Sequence, residues 1–396
     1  MKDIKEEKTI GEKTENTAPE KAPAVTSRTP FWSRKMTNVI KTVGIFLMLI
    51  HHFFTIPDYH PENVNYPWAS IVSDIFSGPT KICVGLFAFV TGYMYYFNKK
   101  KDLCYSLKSI WNLLAKYWIV AVPLTVIAIA TGLSRLNIIS IVKTLTGYSS
   151  EIMRFGWYVY FFIFMMLYLF LIVRICKDNP IALTFVSFIL LNALASLVYS
   201  QLDRNDERLL LAFSNCWRTI CPAMAGYLIA RTGLFETMKK FLDRIPAWIR
   251  YPVLLFAAYL AMMFPKNWYH ATVLPLKLGS LHLGLLVNKE IIHVPVFVFC
   301  LVELFSFIER APFDDETKKH PLVRFFEIFG KYSTFMWFWH SMFFGVLGKY
   351  TKGCLYAPRV PVLVFIWGVL ICLALSFVSD KVLTLLTPKK RLSSKV

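Results

Sequence analysis

NVIKTVGIFLMLIHHFF, residues 38–54, reads as a membrane-spanning helix with two histidines where hydrocarbon belongs. Arg34 and Lys35 precede it, and residues 45–50 are wholly apolar. Ionisable side chains at membrane depth are costly and mark functional positions by default. Lys41 and His52 stand eleven residues apart. That spacing is close to three helical turns, so both lie on one stripe about 16 Å apart. Asn38, Ile45 and Met48 share the stripe, while His51 points about 100° away. The face thus carries a cation near one membrane surface and an imidazole well inside. The plainer alternative is that both histidines only hydrogen-bond to neighbouring helices. A His–His pair in register with a lysine favours function.

The rest of the chain has the same character. Of 396 residues, 56% are hydrophobic and 16% aromatic, above the roughly 45–50% apolar content of soluble domains. The apolar residues fall in blocks of about twenty, the length of a bilayer-crossing helix. The fold class predicted is all-α: a polytopic helical bundle with spans at 38–57, 78–97, 110–131, 157–175, 181–199, 209–230, 251–265, 291–309, 332–350 and 361–386. Residues 1–35 read as a disordered cytosolic tail without the apolar core of a signal peptide. Residues 36–386 form the membrane domain, and 387–396 a basic cytosolic tail.

Net charge is +19. The basic residues sit mainly between spans, at 98–101, 174–177, 231–250 and 310–331, whereas 58–77 holds neither Lys nor Arg. Positive-inside bias puts both termini in the cytosol with ten spans. Orientation and anionic lipid explain this charge better than nucleic acid does. The long connectors 132–156 and 266–289 are predicted on the outer side, with SRLNIISIVKTL as an interfacial helix. Eight cysteines form no CxxC, so neither a disulfide framework nor a zinc site is indicated. No phosphate-binding glycine loop, HExxH or GxSxG occurs.

Counting about 1.5 Å per residue from the cytosolic end puts His52, Lys81 and Arg218 at a shared depth of about 20–24 Å. His340 and Glu303 come out nearer the cytosol, at about 10–14 Å. Arg154 precedes Trp157 at the outer mouth of the fourth span. Each has a structural alternative: Lys81 and Arg154 snorkelling, Glu303 in an ion pair, Arg218 on backbone carbonyls. The common depth favours a polar cavity. Gly78, Gly85 and Gly92 repeat every seven residues and suit close helix packing. The run WFW at 337–339 reads as core or lipid contact.

These features together resemble acyltransferase family 3, the integral-membrane acyltransferases. Their first span carries a basic residue, ten residues and a histidine; Lys41 and His52 match, with Lys for the commoner Arg. KICVGLFAFVTGYMYYF resembles the second span, with Thr91 for Ser. WYVYFFIFMMLYLFL from Trp157 resembles the fourth-span region, and FGKYSTFMWFWHSMFF at 329–344 the late segment that places His340. The resemblance runs from about 36 to 386. The family's Arg-x-x-Arg pair is missing, with only Lys99, Lys100, Lys101, Lys108 and Lys116 in its place, and no esterase-like domain is appended.

The resemblance implies a cytosolic acyl-CoA donor, acetyl-CoA first, no metal, and a hydroxyl acceptor on a cell-envelope glycan or lipid-linked sugar, at the plasma membrane. Such transfer needs a base, and a neutral imidazole is suited to it. His52 is the candidate base, with His51 second. Lys81 or Arg218 would stabilise an oxyanion or hold an acidic sugar, and Lys41 would meet the donor's phosphates. Arg154, Trp157, Glu303 and His340 complete the candidate substrate-binding set. The competing reading is a transporter or flippase whose permeation path is lined by the same polar layer; the lack of an internal repeat weakens it, and donor dependence separates the two.

Overall fold

The computed structural model describes residues 30–55, 69–135, 137–148, 151–195, 207–267, 272–278, 281–287, 289–310 and 320–387. Most of the expected tails at 1–35 and 387–396 and most of the Lys- and Arg-free connector lie outside them. The described chain is a helical bundle. In order come α1 (Arg34–Phe54), α2 (Ala69–Phe76), a 3-10 turn (Pro79–Ile82), α3 (Cys83–Phe97), α4 (Leu103–Ala130), α5 (Ile138–Thr146) and α6 (Trp157–Ile175). Next are α7 (Pro180–Ala195, with a π-helical turn), α8 (Glu207–Thr232), α9 (Leu234–Leu242) and α10 (Ala247–Asn267). A two-stranded hairpin, β1 (Thr272–Leu278) and β2 (Leu281–Val287), precedes α11 (Glu290–Leu304) and α12 (Ser306–Arg310). The chain ends with α13 (Pro321–Trp339), a 3-10 turn (His340–Phe343), α14 (Gly348–Tyr356) and α15 (Pro361–Leu386).

Among the described residues four helices are long and apolar enough to cross a membrane: α1, α4, α6 and α15. Helix α7 and the Ala247–Met263 part of α10 are shorter apolar segments. Their outward side chains are those of a lipid-facing surface. Val122, Val126 and Ile127 on α4, Phe164 and Leu171 on α6, and Val362, Leu370 and Phe377 on α15 are all exposed. In water such surface would be a liability; against lipid it needs no cover.

Glycine controls how closely the helices meet. A Cβ on Gly92 of α3 would fall 1.7 Å from the Ala223 carbonyl oxygen of α8, and one on Gly226 would fall 2.2 Å from that of Phe89. The two backbones touch, the use of small residues that the sequence reading expected. The same spacing gives Gly85 a different neighbour, the Val294 and Glu290 side chains of α11.

Helices α1 and α13 carry the site. Gly330 meets Asn38 so closely that a Cβ there would lie 2.6 Å from the Asn38 Cβ. The Thr42 hydroxyl reaches the Asn38 carbonyl at 2.8 Å and the Phe326 carbonyl at 3.3 Å. Further along, His340 meets His52, so both helices run in the same sense. Tyr356 donates to the Phe53 carbonyl at 2.7 Å, satisfying the end of α1. Trp339 donates to Ser379 at 2.8 Å and ties α13 to α15.

Two segments differ from the sequence reading. The expected ninth span, 332–350, instead begins at Pro321 and breaks at His340. Beyond the break Gly345 and Gly348 pack closely on the carbonyl oxygens of Ile152 and Phe343, and Val346 N–H donates to the Glu151 carbonyl at 2.9 Å. The connector 266–289, expected as part of an all-α fold, holds the antiparallel hairpin, with Thr272 opposite Val287. Helix α5 forms within the segment expected to be interfacial: Asn137 caps its start, Ile138, Ile139 and Val142 are exposed, and Tyr117 and Trp118 donate to its last carbonyls.

The glycine contacts set a stability test. Gly92→Ala should destabilise the detergent-solubilised chain by at least the roughly 1–3 kcal/mol of core overpacking. Gly353→Ala, with open space around it, should leave the thermal midpoint unchanged or slightly higher. Equal midpoints for both variants would contradict the close α3–α8 crossing.

Candidate functional site

The site is assembled where α1 and α13 end together. His52 lies 18 residues beyond the first residue of α1, and His340 lies 19 beyond the first of α13. Equal rise along two helices of the same sense brings the imidazoles to one level. The shallower depth read for His340 in the sequence is thereby corrected, because α13 starts eleven residues earlier than the expected span. His52 Nδ1 is 2.8 Å from His340 Nε2. The rings are parallel with centroids 4.8 Å apart.

The tautomers follow from the network. His340 Nδ1 contacts the Trp337 carbonyl, and a carbonyl only accepts. His340 therefore carries its proton on Nδ1 and presents a lone pair at Nε2. His52 must then donate from Nδ1, a role consistent with its 3.1 Å contact to the Met48 sulfur. One lone pair is left at the end of the chain, on His52 Nε2. The relay reads Trp337 carbonyl, His340, His52, open nitrogen. This is the arrangement of a general base oriented by a second group, recognised by roles and not by sequence position.

Phe155, from the segment leading into α6, clamps both rings. It stacks on His52 at 3.9 Å and 15° and on His340 at 4.7 Å and 16°. Arg154, immediately before it, is exposed, yet near enough to the imidazoles for its charge to act on His52. Trp157 is half-buried and packs edge-on to Trp337 at 6.4 Å, and Tyr158 lies against the same indole at 4.7 Å.

His51 turns to the other side, as its register requires. Its Nδ1 is 3.0 Å from Thr80 Oγ1 and 2.7 Å from Thr55 Oγ1. Those hydroxyls also donate to the carbonyls of Phe76 and His51, so they offer lone pairs and His51 Nδ1–H donates to them. Lys81 follows Thr80 in the same 3-10 turn, next to the His51 side of the site. Glu290 and His293, not singled out in the sequence, are buried at the start of α11; a Cβ on Gly85 would lie 3.0 Å from the Glu290 carboxylate, one turn along from Lys81.

Lys41 opens onto a cavity of about 200 Å³. Lys116 of α4 is a second cation in its wall, with Thr91, Ser109, Asn112 and Ser333 as polar neighbours and Trp337 and Tyr158 as aromatic ones. Trp337 thus belongs to both features: it lines the cavity and its carbonyl anchors the histidine relay. The sequence reading missed this, taking 337–339 as packing. The available signal was the i, i+3 spacing of Trp337 and His340, which aims a carbonyl at the imidazole.

Other candidates lie apart. Glu303 is buried and pairs with Lys239 of α9 at 3.2 Å, the structural alternative raised for it. The Arg218 side chain lies outside the described residues. Lys101 is committed to a clasp at the helix ends, 3.3 Å from the Tyr227 hydroxyl and 3.9 Å from Asp178, which also meets Arg231 at 3.4 Å. Burial lowers the pKa of this lysine and Asp178 opposes the shift. Among the described residues no cluster of His, Cys, Asp and Glu is arranged to hold a metal.

A family model described as an acyltransferase domain matches residues 37–380, nearly the whole chain. No curated protein and no solved structure matches. The match runs through both helices that supply the imidazole pair, in a bundle whose apolar faces suit lipid, and the chain belongs to acyltransferase family 3, the membrane acyltransferases.

Proposed function

We propose that this enzyme moves an acyl group, acetyl first, from cytosolic acyl-CoA to a hydroxyl of a cell-envelope glycan or lipid-linked sugar, with His52 as general base. The observation that carries the reading is the open Nε2 of His52, fixed by the His340 relay. In the step, the acceptor O–H gives its proton to His52 Nε2 as its oxygen attacks the thioester carbon. The carbon–sulfur bond then breaks, and the departing CoA thiolate takes the proton from His52. His340 Nε2 steadies the transient imidazolium by accepting from Nδ1. Lys41 holds the donor's phosphates, and Lys81, beside the His51 face, serves an anionic acceptor.

The proposed setting is the plasma membrane, with ten spans and both termini cytosolic. The connectors fit: Arg34, Lys35 and Lys99–Lys101 flank the half of the bundle in which Lys41 and Lys116 lie. Family membership favours acyl transfer over a permeation path for the same polar layer.

His52→Ala should lower acyl transfer by about 10²–10⁴-fold, the usual worth of a general base, at matched membrane expression. His51→Ala should do much less. Near-normal transfer by His52→Ala would remove the base from the mechanism. His340→Ala should also fall well below wild type, and His340→Gln, whose amide oxygen accepts from His52, should recover part of the loss. Identical rates for the two His340 variants would argue against the relay. For the topology, a cysteine placed at position 99 should resist an impermeant thiol reagent applied to intact cells. Labelling there would reverse the orientation.

A further inference from the structure

Helix α9 is apolar on two sides, and the bundle covers only one. Gly233, at φ 72°, turns the chain from α8 into it. At about 100° per residue, Phe235 and Leu242 fall together and are buried. Phe235 packs on Phe31 at 5.7 Å, Trp32 at 6.1 Å, Phe89 at 6.0 Å and Phe299 at 5.3 Å. These contacts fasten α9 to α3, to α11 and to the residues that lead into α1. Lys239 adds the ion pair with Glu303 at 3.2 Å. Leu234 and Phe241 fall together about 100° round the helix, and they are 47% and 67% exposed. The remaining side carries Glu236 and Lys240. The turn that follows adds an exposed Arg244, and α10 opens with Trp248, 76% exposed.

One apolar side against protein, a second facing outward and a polar third side fit the corner between a bundle and the interface of a bilayer. The outward surface is continuous with lipid-facing surface, because Val253, Leu255 and Phe256 continue it along α10. Tryptophan at the mouth of such a helix marks the headgroup level. The charges fix the occupant. Asp243 is taken by Lys239 at 3.2 Å and by Arg250 at 2.9 Å. Among the described residues Lys240 and Arg244 have no acidic partner. We infer that α9 and the turn after it form a site for an anionic phospholipid: Lys240 and Arg244 take the phosphate headgroup, and Leu234, Phe241 and Trp248 lie along the acyl chains. The site stands apart from the acyl-transfer chemistry and does not depend on it. Its consequence is structural. A lipid that seats α9 also steadies, through Phe235, the Trp32 ring, which stacks on Tyr93 at 3.8 Å just before α1 begins.

The test uses the full chain in nanodiscs of phosphatidylcholine, alone or with about a third phosphatidylglycerol. The wild-type thermal midpoint should be about 2–4 °C higher with phosphatidylglycerol, the size expected of two cations at an anionic surface. High salt should shrink that gain. Lys240→Gln combined with Arg244→Gln should lose most of it while matching wild type in phosphatidylcholine alone. Native mass spectrometry should show wild type retaining phosphatidylglycerol in preference to phosphatidylcholine, and the double variant without that preference. Phe241→Asp should lower the midpoint in both bilayers, since it puts a carboxylate among acyl chains. Equal wild-type midpoints in the two bilayers, or a double variant that keeps the gain, overturn the site. A Phe241→Asp chain with the wild-type midpoint also overturns it, because that face then lies in water and is a surface for a protein partner. If a variant does not assemble, the two wild-type measurements decide alone.

Discussion

The hydrogen bond between His52 and His340 is the constraint on which the rest of the structure depends. Two imidazoles inside an apolar bundle must find partners, because unsatisfied polar groups there are expensive. They find each other, and the second finds a backbone carbonyl. Since a carbonyl cannot donate, the direction of every proton in the chain is set from that end. The consequence is that the relay's remaining lone pair lies on His52 Nε2, the atom to which the proposed mechanism has a substrate hydroxyl give its proton. On that proposal the polar network that the bundle tolerates and the base are the same atoms.

Holding that bond requires rigid support. The glycine contact of Gly330 with Asn38 brings the start of α1 against the middle of α13, and the break after Trp339 lets His340 sit at a helix end. Phe155 then fixes both rings from the side. Each element comes from a different part of the chain, so the site forms only when the bundle does. The closeness of α3 and α8, through Gly92 and Gly226, stiffens the wall beyond.

The first helix was the most legible part of the sequence. Period alone separates Lys41 and His52 from His51, and the structure places His51 on Thr80 and Thr55 and His52 on His340. The contact between the histidines was not legible, because it depends on where α13 begins. Apolarity alone put that start at 332, whereas Pro321, a favoured first residue of a helix, moves it eleven residues back. Phe155 could not be read at all, since a loop phenylalanine carries no periodic signal. Glu303 shows the limit of depth counting: its pairing with Lys239 depends on an amphipathic helix outside the expected spans. Lys116 was visible in the sequence only as one of five lysines standing where the Arg-x-x-Arg pair was sought; its sharing of a cavity with Lys41 is a property of packing.

The most direct test of the relay is nitrogen-15 NMR of the histidine-labelled protein in bilayers, with His52 and His340 assigned by single substitutions. The account predicts that both rings are neutral, with Nδ1 protonated and Nε2 bare, and that a coupling across the hydrogen bond links His52 Nδ1–H to His340 Nε2. A His52 ring protonated at Nε2, or two rings without that coupling, would contradict it.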